Sequence, residues 1–200
     1  MSKESVLTRY VPSQAVPIIE RWIQDSPCEF RITKRRASKY GDYRHPYKKK
    51  GHRISVNGDL NPYAFLVTTV HEFAHLKTWQ EHGNRVKPHG VAWKNNFRML
   101  MEPFLLLNCF PPDIKLAVVN YLENPRASSC SDLDLFKVLH RSGTPREGVV
   151  HLEMLPEKAV FAILSGRKFE KGVKLRKRYR CVEQATGRVY LFNPLAEVYI

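Results

Sequence analysis

One stretch of this 200-residue chain, from Asn61-Pro62 to Gly83-Asn84, constrains the fold more than any other. Phe65, Leu66, Thr69, Val70, Phe73 and Leu76 recur there at the 3.6-residue spacing of a helix with one apolar face. Asn61 is a good N-cap. Pro62 fits the first turn because its missing N–H would be unpaired there anyway. Gly83-Asn84 supplies the stop, so a helix is predicted to run to about Glu81.

Other elements follow around it. Val16, Ile18, Ile19, Trp22 and Ile23 give a helical pattern over 13–24 behind a Ser13 cap, and Phe30 and Ile32 alternate with charged residues as in a half-buried strand over 28–33. Residues 34–50 are basic, aromatic and rich in turn formers, which reads as a loop; residues 53–57 form a second strand closed by Gly58-Asp59. Further helices are expected over 90–101, with Trp93, Phe97, Leu100 and Met101 inward, and over 113–122. After residue 148 the pattern turns strand-like, over 149–155, 159–164, 174–182, 188–192 and 197–200, with Thr186-Gly187 suited to a hairpin turn. The expected organisation is an α+β domain at 1–123, a linker at 124–148 carrying a short helix at 133–139, and a small all-β module at 149–200.

No apolar run approaches the roughly 20 residues that a membrane-spanning helix needs. Phe104-Leu105-Leu106-Leu107 is soon followed by Pro111-Pro112, and the N-terminus leads into no signal-peptide core. The expectation is a cytoplasmic protein with no membrane partner. Cys28, Cys109, Cys130 and Cys181 are scattered without a CxxC pair, so they read as reduced thiols, and a metal would have to be held by histidines and carboxylates.

The predicted helix carries His71-Glu72-Phe73-Ala74-His75. Positions i and i+4 lie about 40° apart in projection and about 6 Å apart in rise, so both imidazoles can converge on one zinc ion. Glu72 follows the first ligand and can reach a metal-bound water without ligating the metal, which suits it to act as general base and to pass the proton to a leaving amine. A catalytic site needs a third protein ligand. On an unbroken helix His82 would lie about 10 Å further along the axis, out of reach. The turn at Gly83-Asn84 and Pro88 brings the chain back, and His89 arrives next as the expected ligand, with Glu102 as the carboxylate alternative. The metzincin spacing is excluded, because Thr78 and Glu81 stand where it needs Gly and His.

Gly41-Asp42-Tyr43-Arg44, Arg53-Ile54-Ser55-Val56-Asn57, the HEFAH segment and His89-Gly90-Val91-Ala92-Trp93-Lys94, in that order and spacing, resemble the SprT-like metallopeptidase domain over roughly residues 5–105. The resemblance implies a compact zincin-like domain with its active-site helix packed on a small sheet, one zinc held by His71, His75 and His89, and Glu72 as the base. It also implies protein substrates cleaved near DNA, as the related Spartan does with DNA–protein crosslinks. Members of the family often carry a C-terminal zinc ribbon with two CxxC knuckles. Here Ile163-Leu164-Ser165-Gly166 and Cys181-Val182-Glu183-Gln184 stand where knuckles would be, so the β module resembles a ribbon without its cysteines and is expected to hold no second zinc.

Formal net charge is +14, from 33 Lys+Arg against 19 Asp+Glu, a field that attracts polyanions. The charge is concentrated in 31–53, interleaved with Tyr40, Tyr43 and Tyr47, and in 167–180, with Phe169 and Tyr179. Basic residues neutralise phosphates while rings stack on unpaired bases, so single-stranded DNA is the expected partner. Candidate contacts are Arg35, Arg36, Lys48, Lys49 and Lys50 in the first stretch, and Lys174, Arg176, Lys177 and Arg178 in the second. The leading expectation is a zinc endopeptidase acting on proteins on or near DNA. The alternatives are a nucleic-acid-binding protein that keeps a zinc-bound fold without proteolysis, and a peptidase with no nucleic-acid role.

Overall fold

The structure is a computed structural model that describes residues 5–36, 39–125, 135, 137–139 and 148–200. It divides into two compact units, Met1–Gly143 and Thr144–Ile200.

The first unit sets helices against a three-stranded sheet. α1 (Val16–Asp25) leads into β1 (Cys28–Thr33), then β2 (Gly41–Arg44), β3 (His52–Asn57), α2 (Pro62–His82), α3 (Val91–Leu106) and α4 (Pro112–Glu123). The sheet order is β1-β3-β2, with β1 parallel and β2 antiparallel to β3. Side chains alternate across its two faces. Ile54 and Val56 of β3 are buried in the core with α2, while Arg53 and Ser55 point the other way.

α2 begins as its sequence dictates. The Asn61 side chain accepts from the Tyr63 and Ala64 backbone N–H groups at 3.1 and 3.0 Å, and Pro62 opens the first turn. It ends at Gly83, which takes φ +58 and donates its N–H to the Trp79 carbonyl. The helix is buried around most of its girth, not along one stripe: every residue from Ala64 to Ala74 is buried. Such a helix is a core element with layers on several sides. Here it packs against β2 and β3 and against α3.

Three differences from the sequence expectations matter. Part of 34–50 is a strand, β2, held by pairing with β3. Its four residues are too few, and too polar, to show an alternation. α3 also runs past the expected Met101 to Leu106 in spite of Pro103, with buried Phe104 edge-on to Trp22 at 5.4 Å. Leu135 and Leu139, from the stretch read as a linker, lie in the core of the first unit, and Asn61 Nδ2 donates to the Leu139 carbonyl at 2.6 Å. The rest of the helix expected at 133–139 falls largely outside the described residues.

The second unit is an antiparallel sheet in the order β4-β9-β5-β6-β7-β8, from β4 (Val149–His151), β5 (Val160–Ala162), β6 (Lys168–Lys174), β7 (Tyr179–Glu183), β8 (Val189–Phe192) and β9 (Glu197–Tyr199). Leu152, Phe161, Phe169, Cys181 and Val198 form its core. The single strand expected at 174–182 is instead a hairpin, turned where Leu175 N–H meets the Arg178 carbonyl at 2.7 Å. β6 escaped the pattern because a lysine takes one of its inward positions. Lys171 is buried, donates to the carbonyls of Glu153 and Leu155, and lies 4.1 Å from the Tyr179 ring centroid.

Two turns of this unit, where the sequence comparison set the ribbon's knuckles as an expectation, are joined by an ion pair. Gly166 closes one turn at φ +80 and Gly187 the other at φ +68. Between them Arg167 Nε donates to Glu183 Oε1 at 2.6 Å and the Thr186 hydroxyl to Oε2 at 2.5 Å. The Arg167 guanidinium, followed by the Thr186 hydroxyl, holds the Glu183 carboxyl down to about 2. A carboxyl whose folded pKa is depressed lends stability above its unfolded value of about 4.3, and that stability is lost as pH falls towards 2. Glu183→Gln should therefore lower the melting temperature of the second unit at pH 7, and the difference from the parent should shrink between about pH 4.3 and 2. Thermal scans across that range check it; a pH-independent gap would show that the loss is one of packing alone.

Among the described residues no helix is long and apolar enough to cross a membrane. Cys28, Cys109 and Cys181 are free thiols, and Cys130 lies outside the described residues.

Candidate metal centre

His71 and His75 lie one turn apart on α2, facing α3. After Gly83 the chain reverses, and His89 stands just before α3 at φ +59, a left-handed conformation that non-glycine residues adopt at a cost. That conformation turns its ring back over α2. The Nε2 atoms of the three histidines form a triangle with edges of 2.9 Å (His75–His89), 3.2 Å (His71–His75) and 3.3 Å (His71–His89).

The triangle fits a metal ion. Bonds of about 2.0–2.1 Å in a tetrahedron set ligand nitrogens about 3.3–3.4 Å apart. A hydrogen can satisfy one edge of such a triangle but not three, whereas a cation serves all three lone pairs. The imidazoles are also held neutral, the form that ligates. Burial pushes His71 well below its ordinary value, with His75 and His89 adding to the effect; burial and His89 bring His75 to about 3, and burial lowers His89. His71, His75 and His89 are thus placed to bind a metal ion together. Glu102, the carboxylate alternative, is exposed on α3 outside this group, and His82 instead lies 3.7 Å from Glu81.

Trp93 forms the floor. It is fully buried, its ring centroid lies 4.7, 5.4 and 4.7 Å from those of His71, His75 and His89, and Phe97 stacks beneath it at 5.2 Å. Its place inward on α3 was legible from the periodicity; its contact with all three imidazoles was not. Tyr43, on β2, was missed as a site residue. Its ring is parallel to His75 at 6.1 Å and its hydroxyl meets His52 Nδ1 at 2.8 Å.

Glu72 sits beside the cluster, buried, under β2. Burial raises its carboxyl to about 8, the Asp42 charge pushes the same way, and a hydrogen bond from the Tyr43 backbone N–H opposes both, with smaller help from Arg36 and Lys39. Gly41 allows this approach. A Cβ there would overlap Glu72 Oε1 and come within 2.7 Å of Thr68 Cγ2 and 2.8 Å of Glu72 Cγ.

The expected nucleic-acid contacts fall into distinct settings. Arg35 pairs with Asp59 at 3.7 Å. Arg36 is spent on the sheet, donating to Asn57 Oδ1 at 2.8 Å, to Ser55 Oγ at 3.0 Å and to the Ser55 and Tyr40 carbonyls. Lys48, Lys49 and Lys50 are exposed on a tight turn closed between Tyr47 and Lys50, with Lys48 at φ +55 and its ammonium over the Tyr47 ring. Lys174, Arg176, Lys177 and Arg178 are exposed together at the β6–β7 hairpin in the second unit. Comparison with protein-family models, curated proteins and solved structures finds no match to this chain.

Proposed function

We propose that the chain is a zinc-dependent endopeptidase of the SprT-like, zincin-like kind, acting on protein substrates on or near DNA. The observation that carries this reading is the convergence of three neutral imidazoles beside a buried carboxylate that directly follows the first of them. Three imidazole donors suit zinc better than magnesium or calcium, which prefer oxygen.

When bound, zinc supplies Lewis acidity, polarising a peptide carbonyl and acidifying a water. The chain's own residues do the rest. His71 and His75 from α2 and His89 from the loop would hold the ion, with Trp93 packed against all three rings. Glu72 takes a proton at its carboxylate oxygen from the water that attacks the peptide carbonyl, and returns it to the amide nitrogen as the C–N bond breaks. A carboxyl that stands beside the ion without being one of its ligands can do both in one turnover. The Tyr43 N–H and the close backbone at Gly41 keep that carboxylate in place. The DNA part of the proposal rests on the +14 charge and on the exposed basic turn and hairpin, each with a tyrosine beside it.

The test is metal content together with cleavage. Purified protein should carry about one zinc per chain, lost on chelation and in His75→Ala. Cleavage of an unfolded protein substrate should stop with the chelator and return with zinc. Full metal retention by His75→Ala would remove it as a ligand; zinc bound without cleavage would favour the non-proteolytic alternative.

A further inference from the structure

The outer face of the β1-β3-β2 sheet, which turns away from α2, bears a cleft of about 520 Å³. Arg31, Arg36, Arg44, Lys50 and Arg53 line it, against two carboxylates, Glu29 and Asp42. Both carboxylates are already engaged on their own strands, Glu29 with Arg31 and Asp42 with Arg44 at 2.8 Å. Arg36 is tied to the sheet as described.

That leaves Arg53, at the centre of the face on the middle strand. Its Nε is buried and has no hydrogen-bond partner among the described residues. Its directly opposite neighbours are Arg44 on β2 and Glu29 on β1, and Glu29 is already paired with Arg31. Like charges facing each other across adjacent strands destabilise a sheet, and a buried guanidinium nitrogen without an acceptor costs more. An anion in the cleft would answer both. The cations span three strands, about 10 Å at the usual strand spacing, which is wider than a single phosphate needs. Tyr47, bridged to the lining residue Lys50, is 64% exposed, and with the Lys48 ammonium over its ring it offers an aromatic surface next to the cleft.

We infer that this cleft is a binding site for the phosphodiester backbone of a single-stranded nucleic acid, with Arg53 as its central phosphate contact and Tyr47 as a base platform. It deepens the proposed function by naming a surface for the nucleic-acid partner. Because the inner face of the sheet packs on α2, the strand is held on the side away from the histidine cluster. It acts as a tether and does not enter the metal centre.

The test needs no proteolysis, so its failure is separable from failure of the peptidase reading. Binding of a labelled oligodeoxythymidine to the full chain is followed by anisotropy at several salt concentrations. Arg53→Gln should weaken binding and make the slope of log K against log salt shallower by about 0.7, the value for one phosphate contact on a single strand. Its melting temperature should stay level, because a like-charge neighbour, Arg44, and an opposite-charge one, Glu29, are lost together. Arg31→Gln, at an exposed position on β1, should shift the slope in the same direction. Tyr47→Ala should weaken oligodeoxythymidine binding while leaving inorganic polyphosphate binding unchanged. The inference is overturned if both arginine variants keep the parent slope, or if Arg53→Gln loses affinity only with a lowered melting temperature while Arg31→Gln changes nothing. Tyr47→Ala indifferent to the oligonucleotide would overturn the nucleic-acid assignment in favour of a bare polyanion.

Discussion

Glu72→Gln should leave zinc content and melting behaviour near those of the parent and reduce peptide-bond cleavage by at least about 10²- to 10⁴-fold, the range of a lost general acid–base group. The substitution keeps the side chain's shape. An amide oxygen can still accept the Tyr43 N–H that the carboxylate accepts now, and a neutral amide is easier to bury than a carboxylate at this position. None of the three imidazole nitrogens is touched. What disappears is the capacity to take a proton at that oxygen. Metal analysis and cleavage of an unfolded protein, measured on the same preparation, separate the two roles. Undiminished cleavage with zinc in place would remove Glu72 from the proton transfer.

The second large effect comes from a residue with no chemistry of its own. Gly41→Ala should cost about 1–3 kcal/mol of stability, as over-packing does, and should lower cleavage while zinc content stays near one per chain. Gly41 is not in the left-handed region, so the reason is space. Its added methyl would overlap the Glu72 carboxylate and press on Thr68, and β2 or the carboxylate must give way. Either movement shifts the Glu72 carboxyl, while all three histidines lie outside β2, which meets the cluster only through the Tyr43 ring on His75. Gly51→Ala is the control, because a Cβ there meets nothing within 4 Å. Denaturant melts and cleavage assays of the two variants, side by side, should show a loss for residue 41 alone. Equal behaviour of both would mean that β2 does not hold the carboxylate as the structure places it.

Some of the site was legible because it is local. Histidines four residues apart on a capped helix must share a face, and a glycine stop followed by a proline must turn the chain, so His71, His75 and His89 could be proposed without tertiary information. Other parts depended on what is brought near. Arg35 and Arg36 look like free cations in a basic loop, yet folding brings Asp59 to the first and Ser55, Asn57 and Tyr40 to the second. Arg53 reads as an ordinary strand residue until the register sets Arg44 opposite it. In the second unit Lys171 hid β6, because a lysine facing inward makes sense only once the Glu153 and Leu155 carbonyls are seen beside it.

The sequence by itself determined the long helix, its ends, and the histidines that can meet on it, because helix periodicity, capping and turns act over a few residues and carry their own signature. Only the tertiary structure decided that β2 is a strand, that Gly41 and Tyr43 lie against Glu72 and Tyr43 against His75, that Trp93 touches all three imidazoles, and that Arg53 Nε has no hydrogen-bond partner among the described residues. Those facts arise from strand pairing and side-chain packing between segments far apart in the chain, where no local pattern records which neighbour folding will supply.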